Sequence, residues 1–293
     1  MSNDFDFYDL ELKQGSEEIG IIFPNWKAED EVVVIFSSHD YDVILGIVYA
    51  VLAALKNLAE VHVVIFCDGS AGYSRPELKE DIVEIRREET FNALKILGLN
   101  KEVIHRLDMP DFSAFHHLGW KLPWQEKSEE DREGLFSKIL SLLREIKVNR
   151  FMIPNGYWEH IDHAATYLSA MFDGPQVGDP VLIDRGAPTE IKTYLQYSVW
   201  AKFSPEDALM KGRNSSIRAN KAITASKSVE EKIEESLQQF KSQGEIIANL
   251  LESREERRLE GTDKYVELYR ELDPRPRFDY DPYKELISKI NGG

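Results

Sequence analysis

Two short segments of the chain carry the side chains that could perform chemistry. In the first, His39 and Asp42 stand three residues apart, and in the second, His160, Asp162 and His163 fall within four positions. Two histidines and one carboxylate that leave a coordination position open are typical of a catalytic zinc site, where zinc lowers the pKa of its bound water and polarises a carbonyl group. The residue types therefore predict a hydrolytic metal site that His39, Asp42 and His163 form.

The remaining two side chains of these segments have a different predicted role. His160 stays free to donate a proton or to stabilise an oxyanion, and Asp162 orients its ring. Structural interpretations compete with this one, because Asp42 could be the N-cap of the following helix. His160 and His163 could likewise be surface residues at the start of a helix. A short motif is only a hypothesis until its structural context agrees, so the surrounding elements must decide.

Short apolar runs precede both segments and predict buried strands that alternate with helices. This alternation predicts right-handed βαβ units and an α/β, Rossmann-like fold, with a mostly parallel sheet flanked by helices. In such sheets the carboxyl ends of the strands meet at one edge, where ligands bind, so both segments should lie together there. The predicted strands cover residues 32–36, 61–66, 103–107, 150–153 and 191–200, and the predicted helices cover 43–55, 77–97, 135–146 and 164–172.

Two regions depart from this alternation. Residues 112–131 form a long insertion rich in aromatic side chains, which is typical of a lid or a binding loop. Residues 204–293 show charged helical patterns, notably over 229–251 and 263–272, and no strand-like run. We therefore predict a catalytic domain over residues 1–203 and a helical C-terminal extension over residues 204–293 that packs on the same domain.

The composition excludes several classes of function. The 293 residues include 36 basic and 52 acidic side chains, for a formal net charge of −16. A field of this sign repels phosphate backbones and anionic lipid surfaces, so the charge favours a small-molecule enzyme over nucleic acid or membrane binding. The longest apolar stretch, residues 43–55, is shorter than the roughly 20 residues that span a bilayer, which argues against membrane insertion. The single cysteine, Cys67, and an acidic N-terminus without a signal-peptide pattern predict a cytoplasmic location.

The same residues resemble the PIG-L/LmbE-like family of zinc-dependent N-deacetylases. The family motif His-Pro-Asp-Asp-Glu, followed by Leu-Gly, is similar to residues 39–46, which keep the histidine, the second aspartate and the Leu-Gly pair. The family helix with Arg-x-x-Glu, Ala and Leu-Gly is similar to residues 86–98, and residues 160–163 match its His-x-Asp-His motif in full. Residues 240–243 are similar to a Ser-Gln signature near the C-terminal helix. The resemblance covers residues 31–243.

The resemblance implies a site, a cofactor and a reaction. His39, Asp42 and His163 are the implied ligands of zinc, with another divalent metal as an alternative. His160 is the implied acid or oxyanion stabiliser, and Asp162 supports it. The implied reaction removes an N-acetyl group from an amino sugar or sugar conjugate, such as an N-acetylglucosamine conjugate. The expected partner is therefore an N-acetylated sugar, and a homo-oligomer is left open.

One departure from the family motif concerns the general base. Tyr41 stands where the family has its catalytic aspartate, and a tyrosine with a pKa of about 10 is a poor base at neutral pH. Asp40 or Asp162 could take this role, or the chain could bind zinc and a sugar but catalyse slowly or not at all. Asp111 is similar to a substrate-contacting acid of the family. Together with Tyr41 and Trp158, it is predicted to contact the substrate.

Overall fold

A nine-stranded sheet organises the computed structural model, which describes residues 4–121 and 133–291. The sheet combines a parallel half with an antiparallel half. Its strands are β1 (Phe5–Asp9), β2 (Gln14–Ser16), β3 (Val32–Ser37), β4 (Glu60–Cys67), β5 (Ile104–Met109), β6 (Arg150–Pro154), β7 (Thr193–Tyr197), β8 (Lys221–Ser226) and β9 (Lys264–Leu272).

The strand order places the two motif-bearing strands side by side. The order is β2-β1-β8-β9-β7-β6-β3-β4-β5, and the five strands from β7 to β5 are parallel. In this half, β3 pairs with β4 on one side and with β6 on the other. The predicted α/β fold with a mostly parallel sheet is confirmed, and the carboxyl ends of β3 and β6 meet at one edge.

Helices cover both faces of this sheet. Val33 and Ile35 of β3 face one apolar core, and Val34 and Phe36 face the other, which explains why this strand is apolar at consecutive positions. The α-helices within the described residues are α1 (Asp42–Gly46), α2 (Val48–Lys56), α3 (Ile82–Ile96), α4 (Leu135–Ile146), α5 (Ile161–Val177), α6 (Glu206–Met210), α7 (Lys227–Leu237), α8 (Gly244–Arg254) and α9 (Asp281–Asn291).

The prediction that residues 204–293 form a purely helical extension is wrong. Helices α7 and α8 occupy most of the predicted helical stretch 229–251. However, residues 204–293 also contain the strands β8 and β9, which pair with each other. The charged pattern over residues 263–272 is a strand in which Glu267 is 3% exposed, so its charge does not mark a solvated helix face. β9 joins β8 to β7, and the C-terminal residues therefore complete the same sheet.

Two further regions differ from what the sequence patterns indicate. No sequence pattern predicts the short strands β1 and β2, which extend the sheet beyond β8. Of the predicted insertion 112–131, residues 112–121 include a 3-10 turn at Ala114–His117, and residues 122–131 lie outside the described residues. Among the helices of the described residues, none combines the length and the apolar character needed to cross a membrane.

Candidate metal centre and active site

The first motif segment lies at the carboxyl end of β3. This strand ends at Ser37 and α1 begins at Asp42, so His39 lies in the turn between them. The backbone N–H of His39 donates a hydrogen bond to Asp42 Oδ2 at 2.7 Å, which closes the turn. Tyr41, not Asp42, is the N-cap of α1, so the interpretation of Asp42 as a capping residue is wrong.

The second motif segment connects β6 to α5. His160 is the N-cap of α5, and its Nδ1 accepts a hydrogen bond from the backbone N–H of Asp162 at 3.3 Å. His163 lies in the first turn of this helix, and its side chain is fully buried. Because β6 and β3 are parallel neighbours, both motif segments leave the sheet at the same edge, as the sequence predicts.

Three donor atoms from these two segments form a triangle, which we call the donor triangle. His39 Nδ1 lies 3.3 Å from His163 Nε2 and 3.4 Å from Asp42 Oδ2. The third edge, between His163 Nε2 and Asp42 Oδ2, measures 3.0 Å. Zinc bonds of about 2.0–2.1 Å at tetrahedral angles place neighbouring ligand atoms about 3.3 Å apart. The donor triangle therefore has the dimensions that three ligands of one tetrahedral ion require.

The hydrogen bonding of these side chains also fits a bound cation. Asp42 Oδ1 is buried and has no hydrogen-bond partner among the described residues. Leaving such an oxygen without a partner costs free energy, which a cation bound to the same carboxylate would offset. Two imidazoles and one carboxylate form a donor set that suits zinc and other divalent transition metals. The residues therefore fit a metal ion.

The charges around the donor triangle favour the same conclusion. Burial opposes a charge on His39, but hydrogen bonds with Asp162 and Asp42 raise its pKa to about 10. Burial also opposes a charge on His163, but the Asp42 carboxylate raises its pKa to about 9. Burial acts to raise the pKa of Asp42, whereas the two histidines hold it well below its usual range. The carboxylates therefore favour positive charge at the donor triangle, whether protons or a metal ion carry it.

Asp162 contacts two histidines rather than one. Its Oδ2 lies 3.5 Å from His160 Nδ1 and 3.3 Å from His39 Nε2. The same carboxylate accepts the backbone N–H groups of Phe112 and Ala114 at 2.7 and 3.2 Å, which holds it in place. The structure thus brings Asp162 to His160, as predicted, and adds a contact with His39 that sequence reasoning missed.

His160 lies at the rim of the site. Its side chain is 29% exposed, and its ring centroid lies 4.9 Å from that of His39 and 4.8 Å from that of Phe112. Burial and the neighbouring charge of His39 lower the pKa of His160, so its ring is neutral at neutral pH. Trp158, two residues earlier, is 82% exposed. The rim therefore combines a neutral imidazole with accessible aromatic faces.

The structure does not place Asp40 in the donor triangle. Its buried carboxylate accepts hydrogen bonds from Arg86 Nε at 3.1 Å and from Arg106 Nη1 at 2.6 Å. Tyr41 packs edge-on against Phe240, and the Arg86 guanidinium lies 4.9 Å from the centre of the Tyr41 ring. Burial raises the pKa of Tyr41, so its hydroxyl keeps its proton at neutral pH.

Asp111 lies in a second group of potential ligands, with His39, Cys67 and Asp162, whose ligand atoms lie within 4.8 Å of one another. The Asp111 carboxylate accepts two backbone N–H groups from the loop 69–71 at 3.1 and 2.9 Å. Burial raises the pKa of Asp111 and, far more strongly, that of the Cys67 thiol. Because a protonated thiol is a poor metal ligand, the donor triangle is the better metal site of the two.

Other motif residues hold the loop that follows β4. Glu89 accepts the backbone N–H and the hydroxyl of Ser242, both at 2.7 Å. Gln243 Nε2 donates a hydrogen bond to the carbonyl of Gly72 at 2.5 Å. A Cβ atom at Gly72 would lie 2.7 Å from Arg86 Nη1, so a larger residue there would require the Arg86 side chain to shift. These residues therefore shape the site without entering the donor triangle.

Glu159 is a site residue that sequence reasoning missed. Its side chain is fully buried, and its Oε2 lies 3.4 Å from His163 Nδ1, although the two atoms lack hydrogen-bond geometry. Glu159 precedes α5, so no helical spacing links it to His163, and the available signal was only its nearness in the sequence to two predicted site histidines.

A family match covers the region that contains the donor triangle. Residues 34–171 match the model of the family described as PIG-L, GlcNAc-PI de-N-acetylase. The matched segment covers slightly less than half of the chain. The match includes both motif segments and the strands that position them. No curated protein is significantly similar to this chain in sequence.

Solved structures share the fold of most of the chain. The conserved protein TT1542 from Thermus thermophilus is similar with a TM-score of 0.59 and 18% identity, over 85% of this chain and 98% of that chain. GalB, the 4-carboxy-2-hydroxymuconate hydratase from Pseudomonas putida, is similar with a TM-score of 0.59 and 15% identity, over 85% of this chain and 99% of that chain. N,N'-diacetylchitobiose deacetylase from Pyrococcus horikoshii is similar with a TM-score of 0.55 and 18% identity, over 83% of this chain and 84% of that chain. At such low sequence identities the similarity shows only the fold, so the reaction must be inferred from the site.

Proposed function

We propose that this chain is a zinc-dependent hydrolase that removes the N-acetyl group from an amino sugar or sugar conjugate. The donor triangle of His39, Asp42 and His163, within the segment that matches the PIG-L family, is the observation that carries this proposal. The likeness to a solved N,N'-diacetylchitobiose deacetylase supports the substrate class. GalB, a hydratase with the same fold, shows that the fold alone does not decide the reaction.

His160 is the residue that we propose to stabilise charge on the substrate. A divalent ion held by His39, Asp42 and His163 would supply Lewis acidity and an activated water. Because His160 Nδ1 accepts the backbone N–H of Asp162, the neutral ring carries its proton on Nε2. That N–H can hydrogen-bond the carbonyl oxygen as charge develops there, and the proton that the general base takes from the attacking water is available for the leaving amine.

Asp111 is the carboxylate that best suits the role of general base. Asp40 is held between two arginines, and the protonated hydroxyl of Tyr41 cannot accept a proton. Asp162 accepts two backbone N–H groups, as Asp111 does, but it also lies against both His39 and His160, so its oxygens are more fully engaged. Burial raises the pKa of Asp111 toward the range in which a carboxylate accepts a proton efficiently.

The rim of the site supplies aromatic faces for the substrate. Trp158 is 82% exposed and Phe112 is 60% exposed, and the Phe112 ring lies against His160. Amphipathic rings of this kind can stack on the apolar face of a sugar while the polar groups hydrogen-bond around it. We therefore propose that Trp158 and Phe112 contact the sugar next to the scissile amide.

A catalytically degenerate sugar-binding protein is the second candidate function, because Tyr41 occupies the position of the family base. The two candidates are separated by measuring acetate release from N-acetylglucosamine conjugates and other N-acetyl sugars with zinc-loaded protein. If the chain is a hydrolase, the wild-type protein releases acetate. Tyr41→Phe then retains that activity, because the hydroxyl is not the base. Acetate release that occurs only in Tyr41→Asp would support the degenerate candidate and contradict our proposal.

A further inference from the structure

Glu159 joins the metal centre to a loop that follows β7. Its Oε1 accepts the hydroxyl of Ser198 at 2.8 Å and the backbone N–H groups of Val199, Trp200 and Ala201 at 3.1–3.2 Å. On its other side, Oε2 lies 3.4 Å from Nδ1 of His163. One carboxylate therefore contacts both the loop 198–201 and a residue of the donor triangle.

The burial of Glu159 requires such partners. Its side chain is fully buried, and a buried carboxylate is stable only when hydrogen-bond donors surround it. Three backbone N–H groups and one hydroxyl of the loop 198–201 meet this need. These bonds hold the carboxylate in place, so its position does not depend on His163. Glu159 is thus a rigid neighbour against which the imidazole of His163 can be oriented.

The other histidine of the donor triangle has an equivalent neighbour. His39 has Nδ1 in the donor triangle and Nε2 at 3.3 Å from the Asp162 carboxylate. His163 has the reverse arrangement, with Nε2 in the donor triangle and Nδ1 beside Glu159. Carboxylates behind metal-binding histidines fix the tautomer and the ring orientation, and their loss weakens metal binding.

We propose that Glu159 is a positioning residue of the metal centre, whose carboxylate beside Nδ1 of the metal-bound His163 favours the proton on that nitrogen and thereby leaves the Nε2 lone pair free for the metal. This inference rests on the proposed metal site. It assigns to the loop 198–201 the task of fixing Glu159, and it separates the role of Glu159 from those of the ligands and of His160. Asp162 serves His39 in the same way.

Glu159→Gln tests this assignment with little change in shape. The glutamine carbonyl oxygen can still accept the N–H groups of the loop, but its NH2 group then faces His163 Nδ1 and requires the opposite tautomer. We expect the Zn2+ affinity, measured by competition with a chromophoric chelator, to fall about 10- to 100-fold. The visible spectrum of the Co2+-loaded variant should differ from that of the wild type, because the ligand geometry changes. The melting temperature should change little.

Ser198→Ala is the matched control, because it removes one hydrogen bond to Glu159 and leaves the contact with His163. Its Zn2+ affinity should stay within about twofold of the wild type. Equal affinities of Glu159→Gln and the wild type would overturn the inference, and so would an equal loss in Ser198→Ala. A wild type that binds no Zn2+ would instead overturn the proposed metal site itself, so the two failures are distinguishable.

Glu159→Asp keeps the inference testable if Glu159→Gln does not fold. It retains the negative charge but shortens the side chain, which moves the carboxylate away from Nδ1 of His163. We expect its Zn2+ affinity to fall below that of the wild type. An affinity equal to that of the wild type would overturn the inference.

Discussion

At the scale of single residues, four carboxylates surround the two histidines of the donor triangle. Asp42 lies between the histidines, Asp162 and Glu159 lie behind them, and Asp111 lies close to His39. This negative charge favours positive charge on the histidines and raises the pKa of both. A divalent cation satisfies the same carboxylates, so metal uptake should release protons and weaken on acidification.

The assignment of Asp111 as the base predicts a large and selective loss of activity. In Asp111→Asn, kcat should fall by about 10²- to 10⁴-fold, because the amide cannot accept the proton of the attacking water. The Zn2+ affinity should stay close to that of the wild type, because the donor triangle is unchanged. Acetate release and metal titration on the same preparation measure both quantities. A wild-type kcat in this variant would contradict the assignment.

Asp40→Asn should behave differently, because Asp40 lies between Arg86 and Arg106. Removing this charge leaves the buried Arg86 guanidinium without a carboxylate and leaves Arg106 with Asp108 alone, which should reduce the free energy of unfolding by about 3–5 kcal/mol. The activity of the fraction that remains folded should be retained. Urea unfolding and acetate release separate the two effects, and a stable but inactive variant would return Asp40 to the candidate bases.

The donor triangle could be predicted from the sequence because its residues follow two strands of one parallel sheet. His39 and His163 are 124 positions apart in the chain, yet their strands are neighbours, and the edge rule for parallel sheets brings them together. The partners of Asp40 come from α3 and β5, and the donors to Glu159 come from the loop after β7. No local spacing encodes such contacts, so the sequence could not predict them.

At the scale of secondary-structure elements, buried charge limits what a sequence pattern can predict. The β-branched run of β3 correctly predicts a strand because both of its faces are apolar. The prediction of a helix over β9 is wrong because Glu267 and the other charged side chains of this strand suggest a solvated surface. In the structure Glu267 accepts hydrogen bonds from Arg257, Tyr269 and a backbone N–H, so its charge is buried among partners.

A buried ion pair at the start of β3 and β6 predicts an acid-sensitive fold. Arg150 donates to Glu31 at 2.8 and 3.1 Å, and both side chains are fully buried. Burial acts to raise the pKa of Glu31, but the hydrogen bonds from Arg150 outweigh it and bring the pKa below the ordinary 4.5. The stabilisation by ionised Glu31 is therefore present above pH 4.5 and is lost as the pH falls through the lowered pKa.

Glu31→Gln should reduce the free energy of unfolding by about 3 kcal/mol at about pH 7, because it leaves the Arg150 charge buried without its partner. It should also flatten the loss of stability on acidification, because glutamine does not titrate. Urea unfolding at neutral pH and at a pH below the ordinary pKa of glutamate measures both changes. An unchanged pH dependence would show that Glu31 does not contribute to the acid sensitivity.

At the scale of the whole molecule, the two ends of the chain are interleaved in one sheet. β1 from the N-terminus pairs with β8, and β9 lies between β8 and β7. The parallel half that carries the site is therefore continuous with strands from residues 204–293. By contrast, α9 has no buried residue.

Two truncations test this architecture. A chain that ends at residue 203 lacks β8 and β9, so β1 and β7 each lose one neighbouring strand, and it should show no cooperative unfolding transition. A chain that ends at residue 280 loses α9, which has no buried residue, and should change the free energy of unfolding by no more than about 0.5 kcal/mol. Thermal unfolding followed by circular dichroism measures both. A cooperative transition in the first truncation would contradict the shared sheet.

The donor triangle is proposed to bind the metal ion that the hydrolysis requires. The most direct test is a titration of metal-stripped protein with Zn2+, with acetate release from an N-acetylglucosamine conjugate followed at each step. We expect activity to rise to a plateau at one bound ion per chain, and His163→Ala to show neither tight binding nor activity. Negligible binding by the wild type, or equal acetate release from stripped and loaded protein, would contradict this proposal.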